Sequence, residues 1–400
     1  MARTVTKRSV LGLDSLSFFL ADVQLGVGPF LAIYLADLGW HEEQVGVALT
    51  VGGLASVLSQ APVGAWIDRT RAKRAAVAGG AIAVALGALA IATVPAFTFV
   101  LVSQLWIGVA ASVLAPALVA ISLGLVGHRA FDERQGRNLA LNSAGNVLFA
   151  VGAGAAGAAW GDRSVLLLVG VLCAPTLGAL ALIRRDEIDH DVARGADTNT
   201  SIKSWLDVLG EPRLMKFGIC AVLFHFANAA MLPLVGEHLA RLVGHGSMAV
   251  MSACVVITQI VVALVSWWSG KRARTLGRKP LLVLAFVALC IRGWIYAVTP
   301  ASTWWIAIQL LDGLGAGLFG VASVLVVADL TRGSGRFNLA LGAMTTAVGL
   351  GAALSQSLAG VIAHRYGAEA SYLALACVAT VALSLLLVTV PETLQPGKED

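Results

Sequence analysis

Apolar runs long enough to cross a bilayer recur along the whole chain. The stretch "LLLVGVLCAPTLGALALI" (166–183) is one of many that approach the roughly 20 residues a spanning helix needs. In hydrocarbon a backbone polar group finds no water, so a spanning segment has to be a helix or part of a closed barrel. These runs are continuous and lack the in-out alternation of barrel strands, so they predict helices. Hydrophobic residues reach 58% and charged residues fall to 13%. The mean hydropathy of +0.83 lies outside the range of soluble domains. The expected fold class is therefore an all-α membrane protein.

Charged turns and Pro/Gly breaks divide the runs into twelve expected spans. They lie near 10–36, 45–66, 75–94, 98–127, 137–160, 164–183, 214–236, 247–269, 280–298, 302–328, 338–363 and 369–390. The N-terminal stretch begins like a signal peptide. Its apolar run is long, carries Asp22 and lacks a small-residue cleavage site, so it reads as the first span. The only long hydrophilic stretch, 184–213, separates spans six and seven and predicts a connecting loop with a short amphipathic helix near Trp205. Three segments follow: an N-terminal six-helix bundle (1–183), the loop (184–213) and a C-terminal six-helix bundle (214–400).

Of the 28 Lys and Arg, all but Arg163, Arg241, Arg292 and Arg365 fall on one side of the expected membrane. That bias places both termini and the connecting loop in the cytoplasm, with the chain in the plasma (inner) membrane. The net charge of +5 reflects this orientation signal, so no nucleic-acid partner is expected. The five cysteines lie inside apolar runs with no paired spacing and read as small core residues. Loop polarity accounts for His41, Glu42, Glu43, Glu237, His238 and His245, so no metal site is expected. No phosphate-cradling Gly-rich loop and no local nucleophile motif occurs, which argues against ATP-driven transport, a bound cofactor and enzyme activity.

The halves repeat. A charged knot, "GAWIDRTRAKR" (64–74), has a partner in "GKRARTLGRK" (270–279), 206 residues on. "NLAL" occurs at 138 and 338, "QLWIG" at 104 is answered by "QLLDG" at 309, and Pro29 by Pro233. The offsets of 206, 200, 205 and 204 are nearly constant and collinear. Two similarly oriented six-helix halves imply a pseudo-twofold axis along the membrane normal.

With this layout and the Gly-x-x-x-Asp-Arg knot between spans two and three, the chain resembles the major facilitator superfamily of secondary transporters. The first knot supplies Gly64, Asp68, Arg69 and Lys73 of the family pattern, with Arg71 where a second Gly is expected. The second keeps Gly270, Gly277, Arg278 and Lys279, with Arg274 in place of the Asp. The resemblance implies that these residues latch the two halves and release them as they rock. Asp68 would sit at the positive end of a neighbouring helix, and Arg69 would pair with an acidic residue such as Asp132 or Glu133.

Ionisable groups at bilayer depth are costly and mark functional candidates. Asp22, His225 and Asp312 are the candidates for proton coupling. Arg292 either pairs with Asp312, which makes that pair structural, or leaves it a free carboxylate. Gln104, Trp106, Phe226, Asn228, Gln309, Phe319 and Gln356 are candidates to line a substrate cavity. The resemblance extends to twelve-helix proton-coupled drug or metabolite exporters. Two departures from them are Gln104, where those exporters carry an Arg, and the absence of a Gly-Pro pair in span five. The expected function is proton-coupled efflux of a small drug-like compound or metabolite by alternating access. A proton-linked importer, a uniporter and a non-transporting receptor are the alternatives. Expected partners are a small-molecule substrate, protons and the lipid bilayer, and the chain is expected to act as a monomer.

Overall fold

The computed structural model describes residues 5–25, 31, 34–35, 37–161, 163–196, 202–232, 234–235, 247–299 and 305–394. The chain is helical: α1 Lys7–Leu25, α2 Glu42–Arg69, α3 Lys73–Thr93, α4 Phe97–Trp160, α5 Arg163–Leu182, a short α6 Trp205–Leu209, α7 Pro212–Ala229, α8 Ser247–Leu276, α9 Arg278–Val298, α10 Trp305–Thr331, α11 Phe337–Tyr366 and α12 Ala368–Thr389. Among the described residues nine helices are long and apolar enough to cross a membrane. One of them, α4, carries two of the expected spans. The described parts of α1 and α7 are shorter or more charged than the rest, with Lys7, Arg8, Asp14 and Asp22 in α1 and Arg213 and Lys216 in α7.

The join of spans four and five departs from expectation. Helical geometry runs through the basic turn and breaks only at Gly127, with φ 70° and ψ 170°. Glycine alone adopts that backbone without a Cβ penalty. From His128 to Gln135 no glycine or proline stops the second limb. Arg129 and Arg134 are thus helical rather than loop residues, and Arg134 reaches Asp14 of α1 at 2.6 Å.

Two compact units emerge. The first comprises Met1–Arg134, Leu141–Lys203 and Arg332–Ala343; the second comprises Gln135–Ala140, Ser204–Thr331 and Met344–Asp400. Each is built on the same scheme. In the first, α1 and α3 both pack on α5; in the second, α7 and α9 both pack on α12. The "QLWIG" repeat is a packing device in both. A methyl added at Gly108 would collide with Gly52 O of α2, and one at Gly313 would meet Val261 and Thr258 O of α8. Close approach of this kind is how membrane helices associate when lipid tails offer no hydrophobic drive.

Candidate functional site

The first knot closes on the start of α11, within the first unit. Asp68, 3% exposed at the end of α2, accepts the Asn338 backbone N–H (3.0 Å) and the Asn338 side-chain Nδ2 (2.8 Å) on Oδ1. Its Oδ2 accepts the Leu339 N–H (2.9 Å). Those backbone groups are among the four a helix leaves without internal partners, and the dipole there favours an anion. Each hydrogen bond to a charged acceptor is worth about 1.5–3 kcal/mol. The helices can come this close because Gly64 faces Asn338 O and Gly342 faces Gln60 O; a methyl at either would overlap a carbonyl. Lys73 is 1% exposed and donates to Thr70 O at 2.8 Å, closing the turn between α2 and α3.

Arg69 corrects the expectation. It is exposed at the end of α2 and, among the described residues, forms no ion pair with Asp132 or Glu133. Asp132 is buried while Arg69 faces outward, and the nearby buried arginine that does pair is Arg134, with Asp14.

The second knot, within the second unit, is tied differently. Gly270 lies against Gly136 at the start of the second limb of α4, where a methyl would collide with Gly270 and Ser266 O. Gly277 has φ +87° and leads into α9. At that helix start the Arg278 and Lys279 N–H groups donate to the two carboxylate oxygens of Glu392, at 2.9 and 3.0 Å. Glu392 also accepts the N–H groups of Thr393 and Leu394. Burial alone would raise its pKa, but these four bonds outweigh it and hold the carboxyl below the usual range. Arg278, 4% exposed, pairs with Asp329 at 2.9 Å and donates to Ala273 O at 3.0 Å. Lys279 Nζ donates to Leu387 O at 2.9 Å.

At bilayer depth the candidates scatter. Asp22 belongs to α1, but its side chain, Pro29 and Pro233 lie outside the described residues, as do Glu237, His238 and His245. The Asp312 alternatives are decided in favour of the pair. Arg292 is 2% exposed, joins Asp312 in a salt bridge, donates to Asn228 Oδ1 and touches Met231 sulfur at 3.2 Å. Asp312 is therefore no free carboxylate, and Asn228 is committed to the same arginine. Gln309, 1% exposed, donates to Tyr296 OH at 2.9 Å.

His225 Nδ1 meets Ala221 O at 3.2 Å, so the proton there is assigned to donate one turn back along α7. The ring stands edge-on to Phe319 (4.9 Å) and Phe224 (5.4 Å). Phe319 stacks on Phe224 at 4.4 Å and is only 7% exposed, so it fills the interior of the second unit rather than an open cavity. Phe226 is half-buried. In the first unit Gln104 is buried against Gly52 of α2. Trp106 is exposed, and its indole N–H donates to Ala83 O of α3. Gln356 is exposed on α11. Asn338, Glu392, Asp329, Asp14 and Arg134 were not singled out from sequence as partners in these contacts. A polar residue in the first turn of a helix, and an acid just past a helix-ending proline such as Pro391, were the available signals.

These features define a polytopic membrane transporter, and comparison with known proteins agrees. The profile of the Major Facilitator Superfamily matches residues 15–307 and 217–400. The chain belongs to this superfamily. An MFS-type transporter of Mycobacterium tuberculosis, present in strains CDC 1551 / Oshkosh and ATCC 25618 / H37Rv, is 43% identical over 395 residues, covering 97% of this chain and 94% of the relative. The multi-drug resistance efflux pump PmrA of Streptococcus pneumoniae is 29% identical over 140 residues, 35% of each chain. Among solved structures, the proton:xylose symporter XylE bound to 6-bromo-6-deoxy-D-glucose superposes with a TM-score of 0.72 over 96% of each chain at 13% identity, a likeness of fold.

Proposed function

We propose that this transporter exports a small drug-like compound or metabolite in exchange for protons, by alternating access across the plasma membrane with both termini in the cytoplasm. The observation that carries the reading is the Asp68 contact. It is a buried carboxylate held by three N–H groups at the start of α11, with glycine-to-backbone packing beside it. Such a contact exchanges cleanly for water when the helices part, which suits a gate. The partial likeness to an efflux pump supports the direction. Asp22 is the group we assign to proton exchange, because Asp312 is neutralised by Arg292 and the half-buried His225 has its ring against Phe224 and Phe319 and its Nδ1 on Ala221 O. A carboxylate leaving water for a closed cavity binds a proton more readily and releases it on reopening. The proton gradient is the energy source and the substrate the small-molecule partner; the chain works as a monomer.

Proteoliposomes loaded with a pH dye and challenged with pooled drugs and metabolites test this, with wild type beside Asp22→Asn. Substrate-dependent proton movement outward against substrate flux, lost in the variant, is the expected result. Proton movement in the same direction as substrate makes the protein an importer, and flux without proton movement makes it a uniporter. No flux with any pool points to a non-transporting receptor.

A further inference from the structure

We infer that the segment joining the two halves is the third side of the Asp68 clasp, so that its backbone sets how readily the clasp opens; this rests on the gating role assigned to Asp68 above. The Asn338 side-chain amide has two N–H bonds and uses them in two directions, one to Asp68 and the other to Ala193 O at 3.1 Å. Just before α11 the Gly333 and Gly335 N–H groups both donate to Gly195 O, at 2.6 and 3.5 Å. The Lys203 N–H donates to Ser334 O, and Arg336 Nε donates back to Lys203 O, each at 3.1 Å. The α10–α11 turn is thus stitched to the connecting segment at Gly195 and again at Lys203.

The other edge of the same segment is fixed to α4. The Asp189 N–H donates to Gly124 O at 2.9 Å, and a methyl at Gly124 would meet Asp189 O, Ala193 and Ile188. Asp189 Oδ1 accepts the Asp191 and Val192 N–H groups and shapes the turn that follows. Ile188, Ala193 and Ala196 are buried. Parting α2 from α11 therefore tears one of two seams. Either Asn338 and the 333–335 turn leave Ala193 O and Gly195 O, or the segment follows α11 and leaves Gly124 O. Backbone groups freed in a buried setting cost energy until water reaches them, so the joining segment resists opening in either case.

Hydrogen exchange on the full chain in lipid nanodiscs, read by mass spectrometry over residues 333–341, tests this. Gly195 sits at φ +73°, which valine tolerates poorly, so Gly195→Val distorts the carbonyl that holds the turn. Arg336→Ala, a milder change at a partly exposed side chain, guards against misfolding of the first variant. The expected result is exchange about tenfold faster over 333–341 in Gly195→Val and several-fold faster in Arg336→Ala, as in Asp68→Asn, with the start of α9 unchanged. Acceleration in Asp68→Asn with wild-type protection in both segment variants overturns the inference and leaves the gate intact. Wild-type protection in Asp68→Asn overturns both. Acceleration in all three variants with an unaltered transport rate in Asp68→Asn supports the joined clasp and sinks the gating role.

Discussion

The two knots descend from one repeated pattern, yet they bind different things. In the first, the carboxylate lies inside the knot and reaches the start of a helix 270 residues further along. In the second, Arg274 occupies the matching place, and the carboxylate at a helix start comes from Glu392, just beyond α12. The helix it caps, α9, already packs along α12, so this contact joins neighbours that are fixed to each other elsewhere. The same physics, an anion on unpaired helix N–H groups, holds two helices at the seam we propose to open in one place and caps a helix already packed on its neighbour in the other. What differs is how much other packing holds the joined elements together.

That contrast breaks if the two sites respond alike to substitution. The largest effect is expected from Asp68→Ala, which strands buried N–H groups of Asn338 and Leu339. Transport in vesicles should fall by about a hundredfold or more while the protein still inserts, in line with losing two or three charge-assisted bonds. Gly64→Ala should come next, because the new methyl meets the immovable carbonyl of Asn338; transport should drop at least tenfold with little change in thermal unfolding of the second unit.

At the second knot, Glu392→Gln should lower thermal stability by about 1–3 kcal/mol and leave transport near wild type. Equal transport losses in Asp68→Ala and Glu392→Gln would dissolve the distinction. The smallest effect sharpens it by pH. The folded carboxyl of Glu392 is held below its ordinary range, so its contribution to stability is present above the unfolded pKa and fades as acid passes through the folded one. Unfolding scans below the usual carboxylate range should show wild type losing stability that Glu392→Gln does not have to lose.

Much of this architecture is legible in the amino-acid order. Spans and the two-half repeat follow from length, charge and spacing, because a bilayer admits few alternatives, whereas the expected role of Gly64 and Asp68 comes from the resemblance of their knot to the family pattern. "NLAL" was visible as a repeat, and its asparagine marks the seam, but a sequence match does not say which helix end an acid will find. The Arg292–Asp312 pair could not be decided from sequence, since the rotation of α9 against α10 sets whether the two side chains meet. The exposure of Trp106 is hidden for a related reason: on a membrane helix both the lipid-facing and the protein-facing sides are apolar, so periodicity does not separate them. Arg69 and Arg134 show the same limit for charge: which arginine of a basic cluster is drawn inward depends on whether an acid such as Asp14 waits there.

The distance along the chain between Asp68 and Asn338 also carries a cost in time. At ordinary synthesis rates of about 5–20 residues per second, 270 residues take roughly 15–50 s. Throughout that interval the end of α2, its acid and its bare glycine face have been made while the helix they are shaped for has not. The first unit, counted from the N-terminus, is thus finished among the last, and during biogenesis its exposed seam is open to lipid headgroups, water or an insertion factor.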